Sequence, residues 1–188
     1  PTVGCINDVA KRLANISGAK ALTHPYGCSQ LGDDHEMTAN LLAALCRHPN
    51  AGGVLVVGLG CENNPLESFR ARLGDISGLN IRFLLAQDPG DEYERGLELI
   101  RELEAERVNE RVEIPVSELV VGLKCGGSDG LSGITANPLL GAASDLLARH
   151  GGTTLLTEVP EMFGAETILM DRCVSREVFD KTVKLIND

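Results

Sequence analysis

The sequence predicts a doubly wound α/β fold, in which helices flank a mainly parallel sheet. Short apolar runs bounded by glycine alternate along the chain with amphipathic helical patterns, the order of elements found in βαβ units. Glycine accounts for 21 of the 188 residues and aromatic residues for only 3%, a composition typical of α/β proteins with tight turns after their strands. A chain of this length can also bury a substantial core.

The individual elements follow from the same patterns. Strands are predicted at 19–23, 53–59, 81–86, 117–123 and 153–157, and helices at 6–15, 34–47, 65–73, 91–107, 138–150 and 175–186. The charged stretch 102–113 keeps Leu103 and Val108 at loose helical spacing, which we interpret as a solvated helix end. No linker is evident, so residues 1–188 are predicted to form a single α/β region.

Charge and hydropathy exclude several classes of partner. The formal net charge of −10 disfavours nucleic acid and anionic lipid. No apolar run reaches the roughly 18 residues that a membrane span requires, and no signal-peptide pattern opens the sequence. We therefore expect a cytoplasmic protein whose partner is a small molecule, with no nucleic acid and no membrane.

Four of the six cysteines lie beside a glycine, just beyond the carboxyl end of a predicted strand; they are Cys5, Cys28, Cys61 and Cys125. The carboxyl ends of parallel strands face one crevice, where ligands bind. Thiolates are soft metal ligands, and a metal or catalytic role is therefore predicted for Cys28, Cys61 and Cys125. For Cys5 the choice between ligand and core residue stays open, because residues 1–3 before it are interpreted as only the end of a buried strand.

Polar side chains crowd the same turns. Pro25 holds His24 in an extended conformation that would aim its ring into the crevice, and His35 opens the next helix with acidic residues on either side. Asn63 and its neighbour Glu62 are candidates either for substrate hydroxyls or for helix capping.

The long loop after the fourth predicted strand, 124–138, is rich in Gly and Ser and is predicted to be functional. Its backbone N–H groups suit a carboxylate, which Lys124 could pair with or act on as a base. Neither a dinucleotide-binding nor a Walker glycine pattern is complete, so neither cofactor class is expected.

Four blocks of this sequence resemble the signature blocks of the UxaA family of altronate and galactarate dehydratases; they are 1–5, 24–36, 60–64 and 124–138. The resemblance covers essentially the whole chain. It implies an iron-dependent lyase acting on a hydroxylated acid, and at least a dimer, so a homodimer is expected. It also implies a fragment of a longer enzyme, because family members generally carry a β-rich N-terminal domain and a further C-terminal segment.

Dehydration of a sugar acid to a 2-keto-3-deoxy acid requires removal of the weakly acidic proton α to the carboxylate, with metal assistance. We predict that His24, Cys28, Cys61 and Cys125 surround the metal. His35 and Lys124 are the candidate base and acid, in either order. Asn63, Ser128 and Asp129 would hold substrate oxygens. The predicted cofactor is Fe²⁺, with an iron–sulfur cluster or another divalent cation as alternatives.

Three other functions compete with this hydro-lyase. The first is a sulfolactate sulfo-lyase of the same family, which the turns do not distinguish. The second is a non-catalytic metal-binding or dimerisation module, whose metal site would be closed by four ligands. The third is a thiol-based redox protein, which the absence of a C-x-x-C pair disfavours.

Overall fold

A computed structural model describes residues 1–187 and divides them into two compact units, Pro1–Glu110 and a second unit beginning at Arg111. Each unit combines helices with one pair of parallel strands, so the predicted α/β class and parallel pairing are confirmed. Within the described residues, no helix combines the length and apolar character needed to cross a lipid bilayer.

The first unit contains a parallel pair of strands, β1 (Val54–Gly58) and β2 (Ile81–Leu85), in register from Val54 opposite Ile81 to Gly58 opposite Leu85. Its helices are α1 (Asn7–Ser17), α2 (Gly32–Cys46), α3 (Leu66–Leu73) and α4 (Glu92–Ala105), and a 3₁₀ turn at Gly4–Ile6 precedes α1.

Alternation along β1 places helices on both faces of this pair. Val57 packs with Leu13 of α1, and Leu97 and Ile100 of α4 pack against the same cluster. On the other face, Val56 packs with Phe69 of α3 and Ala43 of α2. Successive strand residues point to opposite faces, so the apolar run that the sequence shows is buried from both sides.

The second unit contains β3 (Val120–Leu123) and β4 (Thr153–Leu156), which pair in parallel from Val120 opposite Thr153 to Leu123 opposite Leu156. Its helices are α5 (Ala136–Arg149), α6 (Glu166–Asp171) and α7 (Arg176–Asn187). The Ser144 and Thr154 hydroxyls, 2.9 Å apart, link α5 to β4. Among residues 111–187 no side chain is buried.

Two element predictions are wrong. The segment 19–23 is irregular backbone and not a strand, because the edge of β1 that faces away from β2 is contacted by the N-terminal segment, where Thr2 N donates to Val57 O at 2.9 Å. The stretch 102–113 is also not a continuous helix end: α4 stops at Ala105 and the two units divide after Glu110. Val108 and Val112 beyond it are 82% and 71% exposed, so no apolar packing prolongs the helix.

Candidate functional site

Two of the predicted thiols lie on loops that contact each other in the first unit. Cys61 lies in the turn 59–65 that follows β1, and Cys28 lies in the irregular segment 24–31. The Asn63 side chain joins the two loops, since its Nδ2 donates to Gln30 O at 2.8 Å and more weakly to Cys28 O at 3.4 Å. Both thiols are exposed. The Asn63 side chain therefore joins the Cys28 and Cys61 loops within the first unit.

The Cys61 turn is built around the buried carboxylate of Glu62, only 6% of which is exposed. Glu62 Oε1 accepts from Thr2 Oγ1 at 2.7 Å and from Leu59 N at 3.0 Å, and Oε2 accepts from Gly60 N at 2.5 Å. Burial acts to raise the pKa of Glu62, but the hydrogen bonds from Gly60, Thr2 and Leu59 outweigh it and lower the pKa. Glu62 is thus an ionised anchor for the turn rather than a group that faces substrate.

Gly60 shows why this turn needs glycine. Its φ of +124° is disfavoured for other residues, and a Cβ built at this position would lie 2.5 Å from Gln87 Oε1. The main chain beside Cys61 therefore approaches the end of β2 closely.

We expect Glu62→Gln to destabilise the protein at pH 7 by about 1–3 kcal/mol, because an amide cannot accept the hydrogen bonds from both the hydroxyl and the two backbone groups. The folded-state pKa of Glu62 is lowered, so its contribution is complete above the unfolded pKa of about 4.3 and is lost as pH falls through the folded pKa. Urea unfolding of parent and variant should thus differ at pH 7 and converge at an acidic pH below the folded-state pKa of Glu62.

Glu98→Gln provides the control for that comparison, since Glu98 is exposed on α4. We expect it to change stability by less than about 0.5 kcal/mol at either pH. Equal effects of the two substitutions at pH 7 would contradict an anchoring role for Glu62.

His24 is held by main-chain groups at both ring nitrogens. Nδ1 accepts from Tyr26 N at 3.3 Å, so Nε2 carries the proton and donates to Pro1 O at 3.3 Å. Burial lowers the pKa of His24, which favours the neutral ring. A metal could bind this imidazole only if one of the two hydrogen bonds were given up.

His35 lies in the first turn of α2. Its Nε2 is buried and has no hydrogen-bond partner among the described residues. A buried imidazole nitrogen without a protein partner is suited to receive or deliver a proton.

In the second unit, three predicted residues belong to one network at the ends of two parallel strands. Cys125 follows β3 and its Sγ lies 2.6 Å from Ser128 Oγ, while its N–H donates to Glu158 Oε2 at 3.2 Å. Lys124 Nζ lies 3.1 Å from Glu158 Oε1. The Lys124 ammonium and the Cys125 N–H together lower the pKa of Glu158. The carboxylate of Glu158, which follows β4, therefore holds the loop at the end of β3.

Ser128 and Glu158 both have positive φ, at 49° and 64°, and no other non-glycine residue in the described part of the chain does. Such backbone is costly and is found where surrounding structure enforces it, often at functional sites. The nearby Asp129 accepts from Leu131 N at 2.8 Å and Ser132 N at 2.9 Å, and these bonds lower its pKa. One oxygen of Asp129 is therefore already used to shape the loop.

Sequence reasoning missed the residues that hold these loops. Thr2 is 4% exposed and anchors Glu62, and Asn7 Nδ2 donates to His24 O at 2.7 Å. Thr2 is a polar residue within the otherwise apolar and small residues 1–6, whereas Asn7 is followed by the charged Asp8 and shows no such contrast. A polar side chain that is buried among apolar residues needs a hydrogen-bond partner, and this requirement is the signal by which the sequence could have identified Thr2 as an anchor.

Cysteine is a soft sulfur donor of a kind that binds iron, and Cys28 and Cys61 lie on joined loops. However, no group of three or more His, Cys, Asp or Glu side chains that could hold a metal ion occurs among residues 1–187. Of the predicted residues, Cys28, Cys61, Asn63, His24 and His35 belong to the first unit, and Lys124, Cys125, Ser128 and Asp129 to the second.

Parallel strand pairs flanked by helices, with polar and thiol-bearing loops at their carboxyl ends, make this chain an α/β protein, and such strand ends are where α/β proteins commonly bind ligands. Sequence models of two domains from one family match this chain. They are "D-galactarate dehydratase/Altronate hydrolase, second domain" over residues 1–108 and "D-galactarate/Altronate dehydratase, C-terminal" over residues 116–188. The chain belongs to the D-galactarate/altronate dehydratase family.

Curated relatives agree with this membership. Altronate dehydratases of Bacillus subtilis and Escherichia coli are 55% and 50% identical over the whole chain, which spans 40% of each relative. The galactarate dehydratase (L-threo-forming) of Escherichia coli is 40% identical over 70% of this chain and 27% of the relative. The chain therefore corresponds to about two fifths of the altronate dehydratases that it matches.

Proposed function

We propose that this chain is part of a hydro-lyase that dehydrates a sugar acid of the altronate or galactarate type to a 2-keto-3-deoxy acid. The proposal rests on one observation: over its entire length, this chain is 55% and 50% identical to parts of two altronate dehydratases. In this reaction a base takes the proton from the carbon α to the carboxylate, and the β carbon–oxygen bond breaks. The hydroxyl leaves with a proton as water, and the resulting enol becomes the 2-keto acid.

Within the first unit, we propose Cys28 and Cys61 as iron ligands, because both thiols are exposed and their loops are joined through Asn63. When bound, iron would act as a Lewis acid that stabilises the negative charge on the substrate carboxylate as the α proton leaves. His24 keeps its neutral ring between Pro1 O and Tyr26 N, which we propose orients the Cys28 loop. We keep Cys125 of the second unit as a candidate ligand, because its sulfur is a soft donor of the kind that binds iron.

The two candidate proton-transfer groups differ in their surroundings. His35 Nε2 has no partner among the described residues, so we propose that His35 is the base. Lys124 Nζ lies 3.1 Å from Glu158 Oε1, and we propose that Lys124 is the acid. Ser128 and Asp129 remain proposed contacts for substrate oxygens.

The direct test is to purify the full-length enzyme without oxygen and to measure iron, acid-labile sulfide and turnover of altronate, galactarate and sulfolactate. Turnover of a sugar acid with iron bound would support the proposal, and sulfide in proportion to iron would identify a cluster rather than a single ion. Release of sulfite from sulfolactate without sugar-acid turnover would assign the enzyme to sulfo-lyase chemistry. Tight metal binding without any turnover would instead favour a non-catalytic module.

Replacement of His35 by Gln in the full-length enzyme should lower kcat by about 100- to 10,000-fold, the usual contribution of a general base. Iron content should remain at the parent level, because His35 is not one of the proposed ligands. His48→Gln is the matched control, since His48 is exposed beyond the end of α2 and its Nδ1 accepts from Asn50 N. Loss of kcat in both variants, or in neither, would remove His35 as the base.

A further inference from the structure

We propose that Asn63 is a positioning residue, whose side-chain amide fixes the Cys28 loop against the Cys61 turn. This inference rests on the proposed function, since it gives Asn63 the role of setting the separation of two iron-binding thiols. It replaces the direct substrate contact that the sequence predicted for this residue.

The segment 24–31 needs such support because it has neither helix nor strand structure of its own. Its first half is tied to the N-terminal region: Asn7 Nδ2 donates to His24 O at 2.7 Å, and Gly4 N donates to Tyr26 O at 2.6 Å. Its second half, which contains Cys28, is tied to the Cys61 turn by Asn63. Different parts of the first unit thus hold the two ends of the Cys28 loop.

Asn63 is well placed for this task because its own main chain is anchored. It lies between Glu62 and Asn64, each 6% exposed, and Glu62 is held by three hydrogen bonds. Only one residue separates Asn63 from Cys61 along the turn, and its amide reaches two carbonyl groups 33 and 35 residues away in sequence. A displacement of Asn63 would therefore change the position of Cys28 relative to Cys61.

The chemistry of the amide explains the choice of residue. Both carbonyl oxygens accept hydrogen bonds from Nδ2, which carries two donor hydrogens. The isosteric change Asn63→Asp would replace that donor group with a negatively charged oxygen facing two carbonyl oxygens. The two loops should then separate, whereas Asn63→Gln keeps the donors and should partly restore the parent arrangement.

We would test this in the full-length enzyme with two probes that do not depend on turnover. Co²⁺, added to metal-free protein, reports thiolate ligation through its charge-transfer absorption. Dibromobimane, a short reagent that bridges two thiols, reports the separation of Cys28 and Cys61 when the bridged peptides are identified by mass spectrometry. Asn63→Asp should weaken Co²⁺ binding by about 10- to 100-fold, as expected for residues that orient metal ligands, and should slow bridging. Asn63→Gln should fall between this variant and the parent.

Asn109→Asp is the control, because it makes the same change in charge at an exposed residue of the first unit and should match the parent. Parent-like bridging and Co²⁺ binding in Asn63→Asp would overturn the positioning role while leaving the proposed metal site intact. If the parent binds no Co²⁺ through thiolates but Asn63→Asp still slows bridging, the metal proposal fails and the positioning role stands. Absence of the Cys28–Cys61 bridge in the parent would overturn the positioning role.

Discussion

Replacement of Cys61 by Ala in the full-length enzyme is expected to remove both bound iron and dehydratase activity. Cys61 is exposed at the carboxyl end of β1, in a turn whose main chain is fixed by the buried Glu62 carboxylate. Substitutions of residues that only orient metal ligands cost about 10- to 100-fold in metal affinity, so the loss of a ligand should cost more than 100-fold. Iron content after anaerobic purification and kcat/KM for the sugar acid are the two measurements.

Cys46→Ala provides the matched control in the same unit. Cys46 is the last residue of α2 and is half-buried against the cluster that contains Phe69. Burial raises the pKa of the Cys46 thiol, which disfavours the thiolate form needed for metal binding. Parent levels of iron and activity are therefore expected in Cys46→Ala. Full iron content and turnover in Cys61→Ala would show that the thiol site is assigned wrongly, without affecting family membership.

The largest expected effect on stability comes from Phe69→Ala. Phe69 is 1% exposed and packs in the cluster formed by β1, β2, α2 and α3. Truncation of a fully buried aromatic side chain costs about 3–5 kcal/mol, a large fraction of the 5–15 kcal/mol that stabilises a typical domain. Hydrogen exchange of the β1 and β2 amides, followed by mass spectrometry, should accelerate by about 100-fold or more, since each 1.4 kcal/mol corresponds to a factor of ten.

Phe163→Ala makes the same chemical change in the second unit, where Phe163 is 60% exposed. A surface substitution of this kind should alter stability by less than about 0.5 kcal/mol and leave exchange in β1 and β2 at the parent rate. Similar exchange in the two variants would show that the cluster around Phe69 contributes little to holding β1 and β2 together.

Local sequence patterns predicted much of the fold correctly. The run Val54–Gly58 is apolar throughout and bounded by glycine, which favours a buried strand, and β1 occupies that range. Asp91 was expected to begin a helix, and its side chain accepts from Tyr93 N and Glu94 N at the start of α4. These features depend on residues close together in the chain, so a single sequence is sufficient to predict them.

The failures arose where distant segments decide the structure. The segment 19–23 has a strand-like composition, yet a strand forms only beside a partner, and Thr2 already contacts the outer edge of β1. The helix end predicted over 102–113 failed because α4 ends at Ala105, and the exposed Val108 and Val112 beyond it add no apolar packing that would extend the helix.

For the candidate site, the sequence by itself determined which residue types stand at the ends of the strands: thiols, imidazoles, carboxylates and amides beside glycine. Their contacts were decided only by the tertiary structure. Thr2 and Glu62 are 60 residues apart, and Asn63 and Cys28 are 35 apart, so no local pattern could pair them. Burial made Glu62 an anchor rather than a substrate ligand, because a carboxylate removed from water must satisfy its oxygens with nearby donors.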